Sequence, residues 1–181
     1  KLQIIYTLQG SKLKVAYNVE NLSDVATMYF SLGAHPAFNV GRKADDFSDY
    51  SLLFNKDNAL KANCLKDGLL TTKQHDVLLN NKKLMLDYKL FENDALVLLD
   101  LKSDKVTLLD NDEKNMLTLE FESFPYFGIW TVMDSGFICL EPWAGVADFE
   151  SHDQQLENKT GINKLKPKES WSASWTLCIP I

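Results

Sequence analysis

The sequence predicts an all-β fold, a large sandwich of antiparallel sheets. Three observations carry this reading. The apolar segments are short and rich in β-branched and aromatic residues, which suit a pleated surface. Some alternate apolar and polar residues with a period of two, the pattern of a half-buried strand. Turn-forming clusters separate them, and no segment shows a long 3.6-residue period with helix caps.

Taken in order, residues 1–8 (KLQIIYTL), 13–20 (LKVAYNVE) and 26–33 (ATMYFSLG) read as an antiparallel meander. In the second, Leu13, Val15, Tyr17 and Val19 face one way, and Lys14, Ala16 and Asn18 the other. The turns fall at Gln9-Gly10-Ser11 and at Asn21-Leu22-Ser23-Asp24. One helical turn is placed in 42–49. Further strands are predicted at 50–54, 95–101, 105–109, 116–122, 127–133, 137–141 and 171–179. Lys102-Ser103-Asp104, Asp110-Asn111-Asp112 and Asp134-Ser135-Gly136 mark turns between the later ones. The polar stretch 146–168, with Gly161 and Pro167, reads as a long ordered loop, and such loops are commonly functional or draped over a core. With no repeat, linker or composition shift, residues 1–181 are expected to form one domain.

Composition narrows the function. The chain carries a net charge of −6, and Arg42 is its only arginine, which weighs against nucleic-acid binding. No apolar run is long enough to span a bilayer and no polybasic anchor is present, so no membrane partner is expected. Cys64, Cys139 and Cys178 are odd in number and widely spaced, without a CxxC motif. They read as small hydrophobes in a reducing cytoplasm rather than as disulfides or zinc ligands. The chain opens at Lys1 without a signal-peptide pattern and reads as a processed chain or as part of a longer one.

Few residues invite catalysis. His35 lies between Gly33 and Pro36 at a strand end, where it either packs at a turn or faces a cleft. Glu141 follows the apolar run FICL and precedes Pro142 and Trp143. If the strand ends there, the carboxylate points to water. If it is buried beside the aromatic ring, its pKa rises toward that of a useful general base. His75, in KQHDV, reads as solvated, and His152, in ESHDQQ, as surface or site rim. The four tryptophans suit a core. Trp143 is the one best placed to offer a sugar a stacking face. GxSxG, HExxH, GxGxxG and phosphate-binding loop motifs are absent.

Five segments, taken in order, resemble one family: MYFSLGAHPAFNV (28–40), FENDALVLLDLKSDKVTL (91–108), FPYFGIWTV (124–132), CLEPWAGVADF (139–149) and DQQLENKTGINKLKP (153–167). The resemblance is to the aldose 1-epimerase (galactose mutarotase) family, in its LacX-type branch. It implies the C-terminal portion of an antiparallel β-supersandwich with a carbohydrate cleft. The implied reaction interconverts the α and β anomers of a free hexose, galactose or glucose, without a cofactor or metal. By position in the motifs, His35 matches the family's general acid and Glu141 its general base. Asp94, in NDALV, matches the acidic residue that binds sugar hydroxyls. The acid and base are expected on opposite sides of one pyranose.

The sequence also departs from the family pattern. About a hundred residues that complete members carry before the equivalent of Lys1 have no counterpart. They normally supply an arginine and a second histidine for the sugar, and Arg42 lies elsewhere. Lys168 stands where glycine is common, and Ala144 where a bulkier residue is. Unpaired strand edges are then expected, open to pairing with another chain. Such a chain alone could be inactive. The competing readings are a hexose-6-phosphate epimerase, against which the single arginine weighs, a non-catalytic carbohydrate-binding domain, and a structural or partner-binding β-domain.

Overall fold

In the computed structural model, the backbone is described for residues 1–41 and 44–181, and side chains for all of these except 44–46. Among the described residues the strands pair antiparallel, and one isolated parallel bridge joins Leu70 to Phe149. The chain begins with β1 (Leu2–Gln9), β2 (Lys12–Glu20), β3 (Met28–Phe30), β4 (Leu32–Gly33) and β5 (Ala37–Asn39). Its middle forms β6 (Ser51–Phe54), β7 (Leu60–Lys66), β8 (Leu69–Val77) and β9 (Lys83–Met85). There follow β10 (Leu96–Leu98), β11 (Lys105–Leu109), β12 (Asn115–Glu120), β13 (Tyr126–Trp130) and β14 (Phe137–Ala144). The chain closes with β15 (Asn163–Leu165) and β16 (Ser170–Cys178).

One seven-stranded sheet has the order β1-β2-β16-β12-β11-β6-β9. A second has the order β4-β14-β13-β10-β7-β8, with β5 also paired to β14. A small third sheet joins β15 to β3. The core lies between the two large sheets. Val15, Tyr17, Leu52, Val106, Leu119 and Trp175 come from the first, and Leu96, Leu98, Phe127, Ile129, Ile138 and Leu140 from the second. Phe121 stacks on Phe127 with ring centroids 4.3 Å apart. The buried Trp175 indole donates to the Tyr17 hydroxyl at 3.2 Å, which satisfies both polar tips in an apolar surround.

The second sheet is covered on its other face too. Leu70, Val97 and Val146 form a smaller cluster there with Tyr126, Trp143 and Phe149. Segment 146–168 supplies this cover. The Leu70 amide donates to the Asp148 carbonyl, and the Glu150 amide to the Leu70 carbonyl, each at 2.8 Å. The buried Asn21 amide donates to the carbonyls of Ala26, Leu165 and Lys166, tying the far end of the segment to the end of β2. The segment is therefore not all loop: it contains a 3-10 turn at Leu156–Asn158 and the strand β15.

Several expected elements change. The meander stops after its first hairpin, because β2 takes β16 as its second neighbour, paired from Ser170↔Glu20 to Cys178↔Lys12. Segment 26–33 is two strands in two sheets, β3 with β15 and β4 with β14. The turn expected in 42–49 is a 3-10 turn at Ala44–Asp49, and Arg42 and Lys43 lie outside the described residues. Strands β5, β7, β8 and β9 are additions to the expected set: β7 alternates only over residues 60–64, and β5, β8 and β9 show no clear alternation. β8 is an edge strand exposed along most of its length, so little apolar patterning is required of it.

Candidate active site

Strand β14 builds the floor of the site. Side chains alternate across a strand, so Ile138 and Leu140 enter the core while Cys139, Glu141 and Trp143 share the opposite face. The strand runs on to Ala144, which places Glu141 inside it rather than at its end. Glu141 is only 4% exposed, so the solvent-facing reading is overturned. His35 stands in the turn between β4 and β5, both paired to β14. Its neighbours are pinned to that strand: the Ala34 amide donates to the Pro142 carbonyl at 3.0 Å, and the Leu140 amide to the Pro36 carbonyl at 3.2 Å.

This pinning brings the His35 Nδ1 to 3.4 Å from the Glu141 Oε1. The His35 side chain is 60% exposed, while the carboxylate beneath it is shielded. Trp130 holds the imidazole edge-on, with centroids 5.7 Å apart at 88°. Burial raises the Glu141 pKa, because the charged form loses hydration, and the His35 charge and the hydrogen-bonding pull of the Trp143 indole partly oppose the rise. The Cys139 thiol is pushed up to about 11 by burial and by the neighbouring Glu141 charge.

Trp143 lies across the sheet over two glycines. A Cβ on Gly33 would stand 2.6 Å from its Cδ1, and one on Gly128 2.5 Å from its Cη2 and Cζ2. Gly33 is its direct cross-strand partner, and Gly128 pairs with Glu141. The missing side chains let the indole lie flat beside the carboxylate. Asp94 has a φ of +85°, and its carboxylate accepts from the Ala95 amide at 2.7 Å. His35, Glu141, Trp143 and Asp94 all line one cavity of about 330 Å³, with Trp130, Val97 and Leu70 on its walls. A second cavity of about 440 Å³ meets it at His35, Glu141 and Trp143.

The four residues singled out in the sequence are therefore assembled in one place, but not with the expected spacing. A 3.4 Å separation puts His35 and Glu141 side by side, not across a sugar ring. The C1 hydroxyl oxygen and the ring oxygen of a pyranose are bonded to the same carbon, so two neighbouring groups can serve both. The other histidines stay out. His75 is exposed on β8 with Nδ1 3.7 Å from the Cys64 Sγ. His152 lies in the polar segment between Asp148 and Asp153. Sequence reasoning missed Trp130 and Cys139 as site neighbours, although Cys139 could have been found from its two-residue spacing to Glu141.

Comparison with known proteins matches residues 1–177 to the family model for aldose 1-epimerase. The chain belongs to the aldose 1-epimerase family. The plasmid-borne LacX protein of Lactococcus lactis subsp. lactis is 35% identical over 184 residues, which is 99% of this chain and 62% of that protein. Its chromosomal counterpart is 34% identical over the same span. A galactose mutarotase-like protein from Lactobacillus casei superposes with a TM-score of 0.88 at 28% identity, over 99% of this chain and 63% of that one. A galactose mutarotase related enzyme from Lactobacillus acidophilus gives 0.86, also at 28% identity, over 99% and 61%.

The chain thus spans somewhat under two thirds of the length of these family relatives. The aldose 1-epimerase match covers both sheets, and the β14 face that carries Glu141 lies wholly inside it. No helix among the described residues is long and apolar enough to cross a membrane.

Proposed function

We propose that this cleft interconverts the α and β anomers of a free hexose, galactose or glucose. Glu141 takes the proton of the C1 hydroxyl while His35, as imidazolium, gives a proton to the ring oxygen. The C1–ring-oxygen bond breaks and leaves the open-chain aldehyde. Rotation about C1–C2 turns the carbonyl, and the two groups exchange roles to reclose the ring as the other anomer. Proton transfer alone carries the cycle, so it needs no cofactor.

The observation that carries this reading is the paired His35 and Glu141 in a cleft, with the carboxylate desolvated and its pKa raised. A poor carboxylate acid is a better base, and a pKa nearer neutrality allows transfer in both directions. Nδ1 faces the carboxylate, which leaves Nε2 to reach the ring oxygen. Trp143, Trp130, Val97 and Leu70 offer an apolar wall to the C–H face of the sugar, and Asp94 offers a carboxylate to its hydroxyls. The ligand is a small sugar rather than a nucleic acid or a membrane surface, in keeping with the net charge of −6. The setting is the cytoplasm.

Polarimetry on freshly dissolved α-galactose and α-glucose tests the reading. The purified protein should speed the approach to anomeric equilibrium, and Glu141→Gln should abolish that effect. Sugar binding without acceleration would favour a non-catalytic carbohydrate-binding domain instead.

A further inference from the structure

Cys139 takes no part in the proton transfers, yet its thiol lies directly beside the groups that do. We propose that His35, Cys139 and Glu141 form a binding site for Zn²⁺, and that the bound ion inhibits the cleft. The nitrogen, sulfur and oxygen of these three side chains all lie within 4.8 Å of one another. Zinc bonds of 2.0–2.2 Å to nitrogen and oxygen set a tetrahedral edge of about 3.4 Å. The His35 Nδ1 and Glu141 Oε1 already stand 3.4 Å apart. The thiol lies within 4.8 Å of both, and the imidazole edge-on to Trp130 is exposed on its other side.

The backbones that carry the ligands are already held. Cys139 pairs with Trp130 on one side and with Ala37 on the other, and Glu141 pairs with Gly128. Cys139 and Glu141 share a face by the two-residue alternation of β14, so they converge without distortion. Three protein ligands with an open side toward the cleft leave the fourth position to water. A mixed nitrogen, sulfur and oxygen set suits zinc and its neighbours rather than Mg²⁺ or Ca²⁺, which take oxygen ligands.

Charge balance supports the same ion. On binding, the thiol proton leaves to solvent and the thiolate forms a bond to the metal. One thiolate and one carboxylate then neutralise a divalent cation, with His35 neutral. The buried Glu141 charge, otherwise costly in this setting, gains a counter-charge. The ion would take up the Glu141 oxygen that accepts the sugar's proton and, through Nδ1, would fix the imidazole whose Nε2 serves the ring oxygen. The inhibitory consequence rests on the proposed epimerase activity, whereas the metal site itself does not.

Co²⁺ is the probe, because a cobalt–thiolate bond gives a ligand-to-metal charge-transfer band in the near ultraviolet. Metal-free protein should take up one equivalent of Co²⁺ with that band, and Zn²⁺ should displace it. The band should persist in Cys64→Ser and Cys178→Ser and vanish in Cys139→Ser, with the fold of that variant checked by circular dichroism. Affinity should drop by about ten-fold or more in His35→Asn, where the substituted side chain is exposed and the fold is safe. Absence of the band from the unaltered protein, or its survival in Cys139→Ser, would overturn the site. If the band behaves as described but the protein does not speed mutarotation, the epimerase reading fails and the metal site stands. If the protein is active and saturating Zn²⁺ leaves its rate unchanged, the metal site falls.

Discussion

Strands β1 and β14 depart from ordinary burial in opposite directions. β1 shows Leu2, Ile4, Ile5, Tyr6 and Leu8 to solvent and pairs only with β2 among the described residues. β14 lies inside its sheet and buries a carboxylate. In β14 the anomaly has local partners: an imidazole, an indole and a cavity meet at Glu141. In β1 it has none, only a long apolar edge with unpaired backbone groups. A buried charge that meets convergent polar groups points to chemistry, whereas an exposed apolar edge points to a surface awaiting a cover.

The sharpest way to break this contrast is to remove the β14 charge. Glu141→Gln and His35→Asn should each slow mutarotation by about 10²–10⁴-fold, the usual scale for a positioned acid or base. Polarimetry showing near-normal rates in either variant would leave the burial of Glu141 without a function. Gly128→Ala comes next. Its new methyl would fall 2.5 Å from the Trp143 ring, and the overlap should cost about 1–3 kcal/mol in denaturant unfolding. Unchanged stability would show that the indole is free to move.

Glu141→Gln should also stabilise the protein while it disables it. The raised Glu141 pKa means that the folded state holds its proton more tightly than the unfolded chain does. The stability of the unaltered protein therefore falls as pH rises from the ordinary carboxylate range through the raised folded value, then levels off. The Gln variant lacks this loss, so its advantage in Tm should widen over that window. A gap that narrows as pH rises would contradict the burial argument. The smallest effect belongs to β1. Tyr6→Lys or Leu8→Lys should change stability by no more than about 0.5 kcal/mol, since both side chains are exposed. Either should weaken any self-association seen by light scattering at high concentration, where the unaltered edge would pair with a second chain.

Much of the fold was legible because alternation is a local property. Val15, Tyr17 and Val19 are buried on one face of β2 as their spacing implied, and 105–109 forms β11 with those bounds. The motif order identified the family, and the motifs picked out His35, Glu141, Asp94 and Trp143, which the structure gathers around one cavity. Strand β8 was not legible, since it needs little apolar pattern at an exposed edge. The role of Gly33 and Gly128 was hidden as well, because the ring that requires them lies on another strand.

By itself, then, the sequence determined the all-β class, most strand positions, which side chains share a strand face, and the family. Only the tertiary structure decided that β16 rather than β3 lies beside β2, that Glu141 is buried, and that His35 touches it. The physical reason is range. Side-chain alternation follows from the backbone of a few neighbouring residues. Strand partners, depth of burial and the approach of an imidazole to a carboxylate depend on contacts between residues far apart in the chain, and those exist only once both sheets have closed on their core.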